Sequence, residues 1–162
     1  MVDHPILGMD VAQIALVVRD LDAALERWIA LGYGPFRIYE YGPNLARRRY
    51  RGSDGTFSML LAVSDGSPQV ELIQPLTGPS IYEDWLTERG EGLHHVGLEA
   101  EGDFDAAVQR LVDAGFPVIQ AGDFGPLHDG RFSYHDTQAA LGLIVELVRD
   151  CTGHTEPLRI AG

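Results

Sequence analysis

The sequence contains no lysine; all twelve of its basic residues are arginines. Schiff-base chemistry on a lysine, including attachment of pyridoxal phosphate, is therefore excluded. There is one cysteine, Cys151, so no intramolecular disulfide framework exists. That usage fits a reducing compartment, and a cytoplasmic location is expected. No apolar run approaches the length of a membrane span, and the first residues, MVDHPILGMD, lack the basic start and apolar stretch of a signal peptide. Positive charge is also scarce. The formal net charge is -12, which disfavours phosphate backbones, so neither nucleic acid nor a membrane is an expected partner. Four of the arginines crowd together at Arg47, Arg48, Arg49 and Arg51.

Hydrophobic residues make up 45% of the 162 positions, enough for one compact core. An internal repeat organises them. The segment QIALVVRDLDAALERWIALGYG from Gln13 resembles HVGLEAEGDFDAAVQRLVDAGFP from His95. Each copy opens with a short apolar strand and enters a helix at an aspartate suited to N-capping, Asp20 or Asp103. Leu21, Ala24, Leu25, Trp28 and Ile29 form the apolar stripe of the first helix. Phe104, Ala107, Val108, Leu111 and Val112 form that of the second. Gly32 and Gly115 stand just past the helix ends. The copies also close alike, on Val70-Glu71-Leu72-Ile73 and Val145-Glu146-Leu147-Val148. Turn clusters between helix and closing strand divide the remainder into hairpins. The prediction is an α+β fold of two βαβββ modules, residues 10–76 and 92–150, joined by a connecting segment 77–91 with a short helix. Together they should form a curved eight-stranded mixed sheet.

Four polar residues fall on equivalent places of the repeat: Gln13 and His95 on the opening strands, Glu71 and Glu146 on the closing strands. Both glutamates sit in strands apolar on both faces, which points to burial. A buried carboxylate is costly unless paired, protonated or bound to a cation, and two that converge repel each other. Ala15 and Gly97 share the faces of Gln13 and His95 and leave room beside them. A lone strand-end glutamate is usually a solvated residue; the coincidence of four positions on one repeat favours a single divalent metal site.

The paired modules with polar residues on first and last strands resemble the vicinal oxygen chelate superfamily, which includes glyoxalase I, methylmalonyl-CoA epimerase, extradiol dioxygenases and drug-resistance proteins. The resemblance spans roughly Asp10 to Asp150 and is closest to the epimerases around Thr87-Glu88-Arg89-Gly90-Glu91-Gly92-Leu93-His94-His95-Val96. It implies that Gln13, Glu71, His95 and Glu146 ligate one divalent ion (Co, Ni, Zn, Mn or Mg), with the second histidine of the pair as ligand. It also implies a homodimer. The expected activity is a metal-dependent isomerase or epimerase moving a proton next to a carbonyl, with Glu146 and Glu71 as catalytic bases. The substrate is expected to be a small anionic carbonyl compound or thioester. A glyoxalase I-like lyase is the alternative, since epimerases usually carry histidine at the place of Gln13 and glutamine at that of Glu71. A small-molecule binding protein of the same fold is another. Epimerases also place a second catalytic glutamate near Ser53 and Asp54, where this chain offers only Asp54. Arg47, Arg49 and Arg51 would share one strand face and are candidates for binding substrate, as is His135.

Overall fold

A computed structural model of the chain describes residues 8–162. The elements run β1 (Val11–Val17), α1 (Leu21–Ala30), β2 (Phe36–Tyr41), β3 (Ala46–Tyr50), β4 (Ser53–Asp54), β5 (Ser58–Ser64), β6 (Gln69–Thr77), α2 (Ile81–Glu88), β7 (Gly92–Glu99), α3 (Phe104–Asp113), β8 (Val118–Phe124), β9 (Gly130–His135), α4 (Gln138–Leu141), β10 (Ile144–Arg149) and β11 (Arg159–Ala161). The helix ends follow the sequence signals. Asp20 accepts from the Ala23 N–H and Asp103 from the Asp105 and Ala106 N–H groups. Gly32 and Gly115 take φ of +89° and +94°, a conformation that costs a side-chain-bearing residue. No helix among the described residues is long and apolar enough to cross a membrane.

The strands make one mixed sheet in the order β11-β2-β5-β6-β1-β7-β10-β9-β8-β3-β4. Among the described residues it has eleven strands rather than the expected eight. The eight strands of the repeat are contiguous within it, and the additions lie at the two ends. One addition is β11, which pairs with β2. The other is the arginine-rich β3–β4 hairpin, which leaves the first module and pairs with β8 of the second, Arg49 opposite Ala121 and Tyr50 opposite Gln120. A strand carrying three consecutive arginines cannot be covered on both faces, and a sheet edge is where charge is tolerated. The connection between β8 and β9 is short, because β8 runs on to Phe124 and β9 starts at Gly130.

The sheet curls. Tyr41 on β2 and Phe124 on β8 are in edge contact, with ring centroids 6.1 Å apart. In a flat sheet the seven inter-strand steps between those strands would separate them by about 34 Å. On the outer surface, α1 buries Leu21, Ala24 and Leu25 against Phe36, Ile38, Ala62 and Leu72. In the same way α3 buries Phe104, Ala107 and Leu111 against Leu98, Val145 and Leu147. Inside the curl, α2 contributes Ile81, Tyr82, Trp85 and Leu86 to a core with Ala15, Met59, Ile73, Phe132 and Tyr134. Leu72 is fully buried beneath α1. Leu72→Ala should cost about 2–5 kcal/mol in chemical denaturation, the range for an aliphatic core truncation; a loss below about 1 kcal/mol would show that α1 is not anchored there.

Candidate metal centre

The centre of the sheet is an antiparallel pair, β1 and β7, flanked in parallel by β6 and β10. Register assembles the site. Glu71 lies beside Ala15, which opposes His95; Gln13 opposes Gly97, which lies beside Glu146. Exchanging the modules swaps Gln13 with His95, Ala15 with Gly97 and Glu71 with Glu146, so the two rows are images of each other. The pleat then turns all four polar side chains to the inside of the curl.

His95 Nε2 lies 3.4 Å from Glu71 Oε2 and 3.2 Å from Glu146 Oε2. His95 is 0% exposed, Glu71 5% and Glu146 3%. At these separations the groups attract, yet among the described residues neither His95 Nε2 nor Glu146 Oε2 has an aligned hydrogen-bond partner. The oxygen of Gln13 lies over the same glycine as that of Glu146: a Cβ on Gly97 would stand 3.0 Å from Gln13 Oε1 and 3.0 Å from Glu146 Oε2. A side chain at this position would crowd both oxygens, which would have to give by a few tenths of an ångström. The Gln13 amide is oriented by donation from its Nε2 to Gln69 Oε1 at 3.1 Å.

His94 supports the ligand set from behind. Ala15 opposes His95 while Leu16 opposes Leu93, so His94 is an extra residue in β7. The resulting bulge lets both imidazoles turn inward, and both are 0% exposed. Their Nδ1 atoms are 2.9 Å apart. His94 packs on Trp85 and Tyr82, with centroid separations of 5.1 and 5.4 Å. Burial, and then the neighbouring His95, hold His94 well below the ordinary histidine range. It is the neutral partner, accepting from His95 Nδ1–H and leaving His95 Nε2 for the carboxylates. Burial alone would lower His95, but Glu146 and Glu71 outweigh it and raise its pKa to about 9. Burial lifts the Glu71 carboxyl; His95 draws it down and Glu146 pushes it up.

Among the described residues, no group of three or more His, Cys, Asp or Glu side chains is placed so that it could hold a metal ion as it stands. One imidazole and two carboxylates meet here, and the fourth donor is an amide. The set nevertheless fits a divalent ion. Ligands about 2.1–2.3 Å from one cation and at right angles are about 3.0–3.3 Å apart, the size of the separations around His95 Nε2. The unpartnered Nε2 and Oε2 have the lone pairs such an ion needs.

A cavity of about 490 Å³ opens over these residues, within the range of small-molecule sites. Tyr39, Tyr41, Leu61, Phe124, Phe132 and Tyr134 line it with Gln13, Glu71 and Glu146. One wall is the C-terminal segment, including Cys151, His154 and Thr155, which sequence reading did not assign to the site. It lies there because the chain leaves β10 and crosses to pair β11 with β2 at the other end of the curl.

Other expected residues are not brought to this cavity. His135 is completely buried, but its Nδ1 meets the Phe116 carbonyl at 2.9 Å and its Nε2 the Ser133 hydroxyl at 3.2 Å. Phe132 and Tyr134 on the same strand line the cavity, so alternation turns His135 to the other face. The arginines are occupied elsewhere, and Arg47 and Arg51 take φ of +46° and +45°. Arg47 bonds Asp123 at 2.5 Å, Arg49 pairs with Asp54, and Arg51 bonds Asp84 at 2.8 Å. Arg47 and Arg49 border a separate groove on the β8 side. Asp54, the substitute for a second base, is exposed on the β4 edge and held by Arg49.

The model of the glyoxalase/bleomycin resistance protein/dioxygenase superfamily matches residues 12–134. The chain belongs to that superfamily. Solved structures with this superfamily chain's fold include a hypothetical protein from Bacillus halodurans, 16% identical over 92% of this chain and 99% of that one, with a TM-score of 0.67. Methylmalonyl-CoA epimerase from Mycobacterium tuberculosis is 24% identical over 93% of each chain, with a TM-score of 0.59. A Streptomyces coelicolor methylmalonyl-CoA epimerase variant in complex with 2-nitronate-propionyl-CoA is 23% identical over 90% of this chain and 97% of that one, at 0.61. No curated protein sequence matches.

Two outcomes follow for the site. His95→Ala should abolish binding of a divalent ion, and His94→Ala should weaken it about 10–100-fold through loss of the orienting partner; unchanged affinity in both variants would contradict the ligand set. Protonation of His95 stabilises the metal-free protein below the unfolded pKa of 6.5, and this stabilisation is lost as pH rises through about 9. An ion must displace that proton, so affinity should climb roughly tenfold per pH unit up to about pH 9. Calorimetry in buffers of different ionisation heat at pH 7 should register about one proton released per ion; no release would remove His95 Nε2 from the ligands.

Proposed function

We propose that the chain is a metal-dependent isomerase of the epimerase kind, which moves a proton at the carbon next to a carbonyl. The observation that carries this reading is the pair of buried carboxylates on equivalent strands, Glu71 and Glu146, on either side of His95 Nε2. Gln13 Oε1, Glu71, His95 Nε2 and Glu146 would hold the ion. A divalent ion bound there supplies positive charge against the negative oxygen of an enolate.

The residues divide the remaining work. Glu146 accepts the proton, and Glu71, its mate across the pseudo-twofold, serves the opposite face of the reacting carbon. A proton taken on one side and returned on the other inverts that carbon. Burial keeps the Glu71 carboxyl above its ordinary range, which suits a group that must give a proton back near neutrality. The curled sheet and the aromatic walls exclude water from the carbanion. Tyr39, Tyr41, Phe124 and Phe132 favour a substrate with an apolar body next to its carbonyl.

A glyoxalase I-like lyase shares the same proton transfer, and the amide of Gln13 paired with the carboxylate of Glu71 favours it. Simple storage of a small molecule would leave the two buried carboxylates without purpose. Acyl-CoA and 2-oxo compounds incubated in D2O with each divalent ion should show loss of the α-proton by NMR, without oxygen uptake. In Glu146→Gln the amide still reaches the ion but cannot take the proton. Exchange should fall about 10²–10⁴-fold while metal content persists. Full exchange in the metal-replete variant would remove Glu146 as base, and oxygen consumption coupled to turnover would overturn the reaction class.

A further inference from the structure

The cavity floor ends a chain of buried hydroxyls that the proton transfer above does not use. Tyr82 on α2 and Tyr134 on β9 are 1% and 3% exposed. Their hydroxyls are 2.8 Å apart, Tyr82 donating. Gln120, which is 0% exposed, is tied to the start of the same helix, where its Oε1 accepts from the Ile81 N–H at 3.1 Å. The Tyr82 proton goes to Tyr134. Tyr134 then has a proton of its own to give, and no acceptor for it stands among the described residues.

That proton faces the reacting region. Tyr134 opposes Glu146 across β9 and β10. Its ring stands edge-on to His95 at a centroid distance of 4.9 Å, and both Tyr82 and Tyr134 line the cavity. A hydroxyl that accepts one hydrogen bond donates a stronger second one, and in a dry cavity such a donor is worth more than in water. We infer that Tyr134 is a further catalytic residue, whose hydroxyl donates to the substrate oxygen on which negative charge develops, with Tyr82 as the positioning residue that aims it. The exchange arm of the test rests on the proton-shifting reading; the binding arm does not.

The experiment compares wild-type protein with Tyr134→Phe, both loaded with the same divalent ion to equal content. Phenylalanine keeps the ring against His95, Tyr82 and Phe132, and thermal unfolding verifies that the fold survives. Oxalate, a planar dianion resembling an enolate, serves as the probe in calorimetry. Its affinity should fall about 10–100-fold in Tyr134→Phe, the loss of one hydrogen bond to a charged group. With a substrate found by deuterium exchange, kcat should fall about 10²–10³-fold with little change in KM, as for an oxyanion donor. Equal oxalate affinity in the two proteins, or no oxalate binding by either, overturns the donor whether or not wild-type protein exchanges protons. Weakened oxalate binding by the variant, in a wild-type protein that exchanges no substrate proton, upholds the donor and removes the isomerase reading alone.

Discussion

Two carboxylates and one imidazole are buried together at the centre of the sheet, and the rest of the architecture answers to that constraint. Glu71 and Glu146 come from strands that have no solvent-facing side, and their charges repel each other in a medium that screens poorly. His95 as an imidazolium offsets part of the repulsion, which is why its pKa is raised to about 9 although burial would lower it. The arrangement leaves His95 Nε2 and Glu146 Oε2 unaligned with any partner. A divalent ion resolves both problems, since it supplies more positive charge than one proton and accepts lone pairs from several directions.

The neighbours read as consequences of that demand. Gly97 leaves room for the oxygens of Gln13 and Glu146, each of which would stand 3.0 Å from a Cβ there. The bulge at His94 turns a second imidazole behind His95 and fixes which of its nitrogens faces the carboxylates. The aromatic walls lower the dielectric around the site and strengthen every charge interaction within it. Curling of the sheet brings β2 and β8 together over the cavity, and the C-terminal crossing to β11 supplies a further wall.

Much of this was legible in the sequence because the repeat carried it. Gln13 and His95, then Glu71 and Glu146, held equivalent places, and two-residue alternation set which face each would take. Asp20, Asp103, Gly32 and Gly115 marked the helix ends for local steric and hydrogen-bonding reasons. What escaped was non-local or off-period. The β3–β4 hairpin pairs with a strand of the other module, and nothing in Arg47–Arg51 announces that partner. Ion pairs with Asp123, Asp54 and Asp84 occupied the side chains of Arg47, Arg49 and Arg51, and those partners lie far away in sequence or on the hairpin's other strand. His135 fell on the wrong side of β9 by one residue, where the same alternation, counted from Tyr134, would have placed it away from the cavity. The contact between the Tyr82 and Tyr134 hydroxyls joins residues from α2 and β9, and no local pattern announces it. The tail after Asp150 carried no periodic signal at all.

The central claim is that one ion is held jointly by both modules. It is tested most directly by anomalous X-ray scattering from crystals grown with cobalt or manganese. The account predicts a single strong peak per chain within roughly 2.0–2.3 Å of Gln13 Oε1, His95 Nε2 and carboxylate oxygens of Glu71 and Glu146. A peak bound to residues of one module only, or elsewhere in the chain with the Glu71–His95–Glu146 contacts unchanged, would contradict it.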